Sequence, residues 1–232
     1  MATMERTVIR RGLGLVLVGA LAVACGSGDD DGSDATTPGG GSDGSGTIDA
    51  NGELLLDDLD DADALFRAGD VSGEWFTYSD GTSPITPPDH TGLVAVDGAA
   101  HVSGSGFSDW GAGLSAYFRS VDLTAYDGFR LRARGSGGIV IELATPATSP
   151  PNEGGTCMGG GCFGHFAMSI ALGAEYADYD ITFADLVQPS WAQPAALALD
   201  GVISLNLVTK ATATTPGSLD LWIDRLALHA AP

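Results

Sequence analysis

From Leu54 to Leu228 the chain is cut into short apolar or alternating runs by Gly, Pro, Asp and Ser, and no run sustains a helical period. A core-facing helix needs apolar residues every three to four positions over about ten residues or more. Phe129-Arg130-Leu131-Arg132-Ala133-Arg134 instead alternates apolar and cationic side chains, the pattern of a half-buried strand. Gly138–Leu143 is a denser apolar strand, ended by Pro146. The same pattern predicts strands at Glu74–Tyr78, Ala99–Ser103, Leu114–Phe118, His165–Leu172, Tyr179–Phe183, Val202–Val208 and Leu219–Leu228. Asp61–Arg67 reads as a single helical turn. Many short strands with Gly/Pro turns predict an all-β chain, a β-sandwich of jelly-roll type.

The N-terminal part obeys different rules. Arg6, Arg10 and Arg11 precede an apolar run from Leu13 to Ala24, too short for the ~20 residues of a membrane span. A basic head, a short apolar core and the small residues of Leu21-Ala22-Val23-Ala24-Cys25 form an export signal of the lipoprotein type. Residues 1–24 are then a signal peptide, and Cys25 is the acylated residue. Ala22 departs from the Leu usual at its place, and a plain signal peptide cut after Ala24 is the alternative. The adjacent Arg10-Arg11 also admits a twin-arginine route. Residues 25–53 are Gly, Ser, Asp and Thr with little that is apolar, which predicts a disordered tether. A spacer directly after an acylatable cysteine favours the lipid-anchored reading. Residues 54–232 form one domain.

Charge excludes several partners. Taking Arg6, Arg10, Arg11 and Glu5 from the 10 basic and 30 acidic residues leaves 7 against 29, a charge of −22. Such a chain is unsuited to nucleic acid or to peripheral docking on anionic lipid. With Cys25 acylated, Cys157 and Cys162 remain as a pair in a Gly-rich loop. In an exported protein they read as a disulfide, whereas zinc would need further ligands beyond the nearby His165.

Four stretches together resemble a known family. They are Leu56-Asp57-Asp58-Leu59-Asp60-Asp61-Ala62-Asp63, Gly106–Leu114 with its Asp109-Trp110-Gly111, Asp122–Phe129, and the closing Leu221-Trp222-Ile223-Asp224. In this order they are similar to galactose-binding-like jelly rolls, and in particular to family-11 carbohydrate-binding modules and related bacterial lipoproteins. The resemblance spans Leu54 to Leu228. It implies a non-catalytic domain that binds carbohydrate, such as a cell-surface polysaccharide, from the bacterial cell envelope. The same superfamily also holds assembly factors, so a protein-interaction module without a sugar site is the alternative. The family further implies a structural calcium ion between the acidic opening and the last strand, here Asp58, Asp60 and Asp224. Arg225, where relatives often carry a second acid, could neutralise that cluster instead.

Sugar rings stack their C–H faces on aromatic rings while nearby polar groups take the hydroxyls. Trp75, Tyr78, Trp110 and Trp191 are candidate platforms, with Arg130, Arg132 and His165 as polar partners. Trp75 and Tyr78 are three apart, so a regular strand turns them to opposite sides. Trp110 and Trp191 lie among Gly, Asp, Pro and Ser, in loops. Trp222 reads as core. Arg130, Arg132 and Arg134 share one strand face and repel unless acids lie across from them, so an outer face laced with Asp is the preferred reading over a binding face. No Gly-x-Ser-x-Gly, phosphate-loop or zinc motif is present, and the disulfide would remove the thiol nucleophile.

Overall fold

In the computed structural model the described residues are 46–60, 63–93 and 98–230; Cys25, the signal segment and most of the tether lie outside them. The described residues form twelve strands: β1 (Glu53–Asp57), β2 (Leu65–Ala68), β3 (Val71–Ser79), β4 (Ile85–Thr86), β5 (Ala100–Phe107), β6 (Gly111–Val121), β7 (Tyr126–Gly135), β8 (Gly138–Ala144), β9 (Phe166–Ala171), β10 (Ala177–Thr182), β11 (Val202–Lys210) and β12 (Gly217–Ala230). They build two antiparallel sheets, the layers of a β-sandwich jelly roll. One runs β10-β7-β12-β5-β4, with β1 also paired to β12; the other runs β2-β3-β6-β11-β8-β9. First and last strands meet through Leu54 opposite Leu228.

The alternation along each strand explains the sandwich. Phe129, Leu131 and Ala133 of β7 point inward and are buried, as are Leu114, Ala116 and Phe118 of β6 and Leu221, Ile223 and Leu226 of β12. These side chains fill one continuous core. The folded part begins before Leu54: Glu53 lies in β1, and Asp49 accepts the backbone N–H of Asn51 and Glu53. The helical turn expected over Asp61–Arg67 is overturned where it is described, because Leu65–Ala68 pairs with β3 as a strand. Cys157 and Cys162 are joined by a disulfide.

Candidate functional site

The two outer faces of the sandwich differ in what their polar side chains do. On the first sheet, Arg130 and Arg132 stand beside acids. Arg130 bonds Glu53 and Asp180, and Arg132 bonds Asp224 and Asp178. Arg225 also reaches Glu53, at 2.7 Å. The hydrogen bond from Arg130 holds Asp180 below the usual carboxylate range, despite an opposing push from burial. This is the acid-laced arrangement: the charge of both arginines is met by acids on neighbouring strands.

Trp222 is not core as expected. It is half-buried on this outer face, stacked on His101 at 4.0 Å, with Arg134 above its ring at 4.7 Å. The alternation Leu221-Trp222-Ile223 already carried that signal, since Leu221 and Ile223 are the inward pair.

The outer face of the second sheet has a different chemistry. Its register sets one row straight across five strands: Phe76 on β3, Ser115 on β6, Asn206 on β11, Glu142 on β8 and Ala167 on β9. At the usual strand spacing this row is roughly 19 Å long. Ser115 Oγ donates to Asn206 Oδ1 at 2.8 Å, and Lys210 Nζ bonds Glu142 at 2.6 Å. Above the row the aromatic rings gather. Tyr78 lies 6.3 Å and Tyr117 6.0 Å from Phe76, and Trp110 stacks on Tyr78 at 5.7 Å with 26° between planes. Trp110 is 43% exposed, so one face of the stack meets solvent.

Tyr78 lies across Gly113, where a Cβ would come within 2.9 Å of its hydroxyl. Burial, followed by the charges of Glu142 and Glu153, pushes this phenol well above its ordinary pKa. The hydroxyl therefore stays protonated, able both to donate and to accept. Glu153, in the short 3-10 turn Pro151–Glu153, is itself raised by burial.

Asp80 holds Trp110 in place. Its Oδ2 accepts the backbone N–H of Asp109 and Gly111, on either side of the tryptophan, at 2.9 and 3.0 Å. Its Oδ1 accepts the N–H and hydroxyl of Thr82. Burial raises this carboxyl, but the bonds from Thr82, Asp109 and Gly111 outweigh it and bring the pKa down to about 2. Gly111 has φ 117, and a Cβ there would lie 1.9 Å from the Thr209 carbonyl oxygen, so only glycine fits.

The remaining candidates fall elsewhere. Trp75 is a correction: its ring is 1% exposed in the core, and its Nε1 donates to Asp57 Oδ2 at 2.7 Å. Parity turned Tyr78 outward and Trp75 inward. His165 is enclosed, not presented; it shares a hydrogen bond with Thr148 Oγ1, and burial, then Lys210, lowers its pKa to about 4. Trp191 is 62% exposed, on the loop beside the disulfide. Of the acids read as calcium ligands, Asp224 is engaged by Arg132, and Asp58 Oδ1 accepts the Asp60 N–H at 3.3 Å. No group of three or more carboxylate, histidine or cysteine side chains fit to hold a metal occurs among the described residues. The acid that matters structurally in the opening is Asp57, which anchors Trp75 and accepts the Leu59 N–H.

No protein-family model and no curated protein matches the sequence. Solved structures do. The chain is similar to the family 11 carbohydrate-binding module of a cellulosomal cellulase of Clostridium thermocellum, at 20% identity and TM-score 0.53, over 79% of this chain and 97% of that one. It is similar to the same extent, over 98% of the other chain, to a family 11 module from Clostridium thermocellum in complex with a beta-1,3-1,4-mixed-linked tetrasaccharide. At this identity the likeness is one of fold: a jelly roll of the carbohydrate-binding-module kind.

Proposed function

We propose that this is a non-catalytic carbohydrate-binding domain whose site is the outer face of β3, β6, β11 and β8. The observation that carries the reading is the stack of Trp110 on Tyr78, continued by Phe76 and Tyr117 above a row of hydroxyl, amide and carboxylate groups. Flat rings suit the C–H faces of sugars. Asn206, Glu142, Lys210 and the Tyr78 hydroxyl supply both donors and acceptors for sugar hydroxyls. Similarity of fold to two carbohydrate-binding modules, one holding a tetrasaccharide, supports it.

The test is titration of a soluble beta-1,3-1,4-linked glucan into the parent and into Tyr78→Ala. The variant should bind at least ~30-fold more weakly, the scale of losing a central aromatic anchor of about 2 kcal/mol. Equal affinity in the two proteins would remove the site from this face.

We further propose that the domain is exported to the bacterial cell envelope and held at a membrane surface by acylation of Cys25, with the Gly/Ser/Asp segment as spacer. Metabolically supplied palmitate should label the parent and not Cys25→Ser; equal labelling of both sinks the anchor.

A further inference from the structure

Away from the Trp110 end of the cross-strand row, the chain exposes large apolar side chains within two stretches that carry no Asp, Glu, Lys or Arg. Met158 is 73%, Trp191 62% and Phe163 49% exposed. We infer that these three form a second docking platform, one that takes the continuation of an uncharged polysaccharide chain beyond the aromatic face. The inference rests on the carbohydrate reading of that face.

The platform is built rather than loose. The disulfide closes the loop that carries Met158, and the Gln193 N–H donates to the Gly161 carbonyl at 3.1 Å. Gln188 ties the two loops together: its Nε2 donates to the carbonyls of Gly164 and Gln193, and its Oε1 accepts the Ala195 N–H. Gly164 lets them touch, since a Cβ there would meet that of Ala192 at 2.1 Å and the Trp191 ring at 3.4 Å. Phe163 sits at φ 67, in the left-handed region that a bulky side chain avoids, with its N–H bonded to the Thr148 carbonyl. Folding thus holds a phenylalanine outward at a backbone cost, an arrangement that concentrates at ligand clamps.

Charge names the occupant. In a chain of net charge −20, residues 154–174 and 186–199 contain no Asp, Glu, Lys or Arg. His165, the one titratable side chain among them apart from Tyr or Cys, is buried with its pKa lowered to about 4. These two stretches offer no charged side chain to an ionic partner, and apolar rings among neutral polar groups suit a neutral polymer. The surface also continues the first site. Glu142 pairs with Ala167, and Ala167 pairs in turn with Val187, which is 69% exposed and opens the loop bearing Trp191.

The experiment compares two probes on the full chain and on Trp191→Ala, Trp191→Phe and Tyr78→Ala. One probe is a beta-1,3-1,4-linked glucan tetrasaccharide, followed by calorimetry. The other is the high-molecular-mass glucan, followed by retardation in polymer-containing native gels. Trp191→Ala should weaken polymer binding roughly tenfold, leave the tetrasaccharide unchanged, and be rescued by Trp191→Phe. Tyr78→Ala should weaken both probes. Polymer binding that ignores Trp191→Ala while the tetrasaccharide still binds in a Tyr78-dependent way overturns the platform alone. Absence of binding by either probe to the parent overturns the carbohydrate reading with it. Loss of binding to phosphatidylcholine vesicles in Trp191→Ala, without loss of polymer binding, would assign the surface to lipid and likewise overturn the proposal.

Discussion

The two outer faces of this sandwich follow one alternating pattern and reach opposite ends. On the β7 face, every cation that meets an acid is consumed by it: Arg130 by Glu53 and Asp180, Arg132 by Asp224 and Asp178, Arg225 by Glu53. On the β6 face Ser115 bonds Asn206 and Lys210 pairs with Glu142, but aromatic rings gather beside these groups, and Trp110 stays exposed. The first surface is a lattice of ion pairs; the second sets flat rings next to a few cross-strand polar pairs.

The sharpest way to break the comparison is at Glu53, whose side chain is 2% exposed, accepts from Arg130 and is ion-paired with Arg225. Glu53→Ala leaves Arg130 and Arg225 without that partner. It should destabilise the domain by about 3 kcal/mol, the lower part of the range for breaking a buried pair, because both arginines are about a third exposed and partly hydrated. Chemical denaturation measures it, and glucan affinity of the folded fraction should be unchanged. A variant that is fully stable, or one that loses glucan binding while folded, would erase the division between the faces.

A smaller effect is expected at Asp80. Asp80→Ala removes the acceptor for the Asp109 and Gly111 N–H groups and frees Trp110 from Tyr78, so glucan affinity should fall about tenfold, together with the stability those bonds supply. The pH dependence follows with its sign. The carboxyl titrates at about 2 in the fold against 3.8 ordinarily, so its contribution is complete above about pH 4 and is lost as pH falls through about 2. Trp fluorescence and affinity in the parent should therefore hold steady from neutral pH down to about 4. An affinity that drops between pH 7 and 5 would mean another group positions the ring.

Which of these features was legible in the chain depends on how far apart their parts lie. The Phe129–Arg134 alternation is local, and it gave both the strand and the side its arginines occupy. The parity of Trp75 and Tyr78 was equally local, yet which of the two faces the core depends on pairing with β6, 40 residues away and set by register. Trp222 was misread because hydrophobicity outweighed alternation in an apolar-looking strand. The row Phe76–Ser115–Asn206–Glu142 joins four strands distant in sequence, and no spacing announces it. Asp80 lies outside the stretch Gly106–Leu114 that marked Trp110, so the residue that fixes the ring was invisible beside the ring itself. The acidic opening showed its charge but not its partners: Asp57 accepts from Trp75, and Asp224 from Arg132, contacts that only the folded chain supplies.

The single bridge between Ala167 and Val187, met above as a link between two surfaces, also closes an edge. Sheets spread by adding strands to exposed borders, so every border is a place where a second copy can pair. Here β2 is four residues long and β4 two, while β10 carries Asp178 and Asp180. On β9, the Ala167 N–H and carbonyl are taken by Val187 near the start of the strand. A neighbouring copy thus meets borders that are short, acidic or partly covered, and the loop that lifts Trp191 into solvent is also what covers the start of β9.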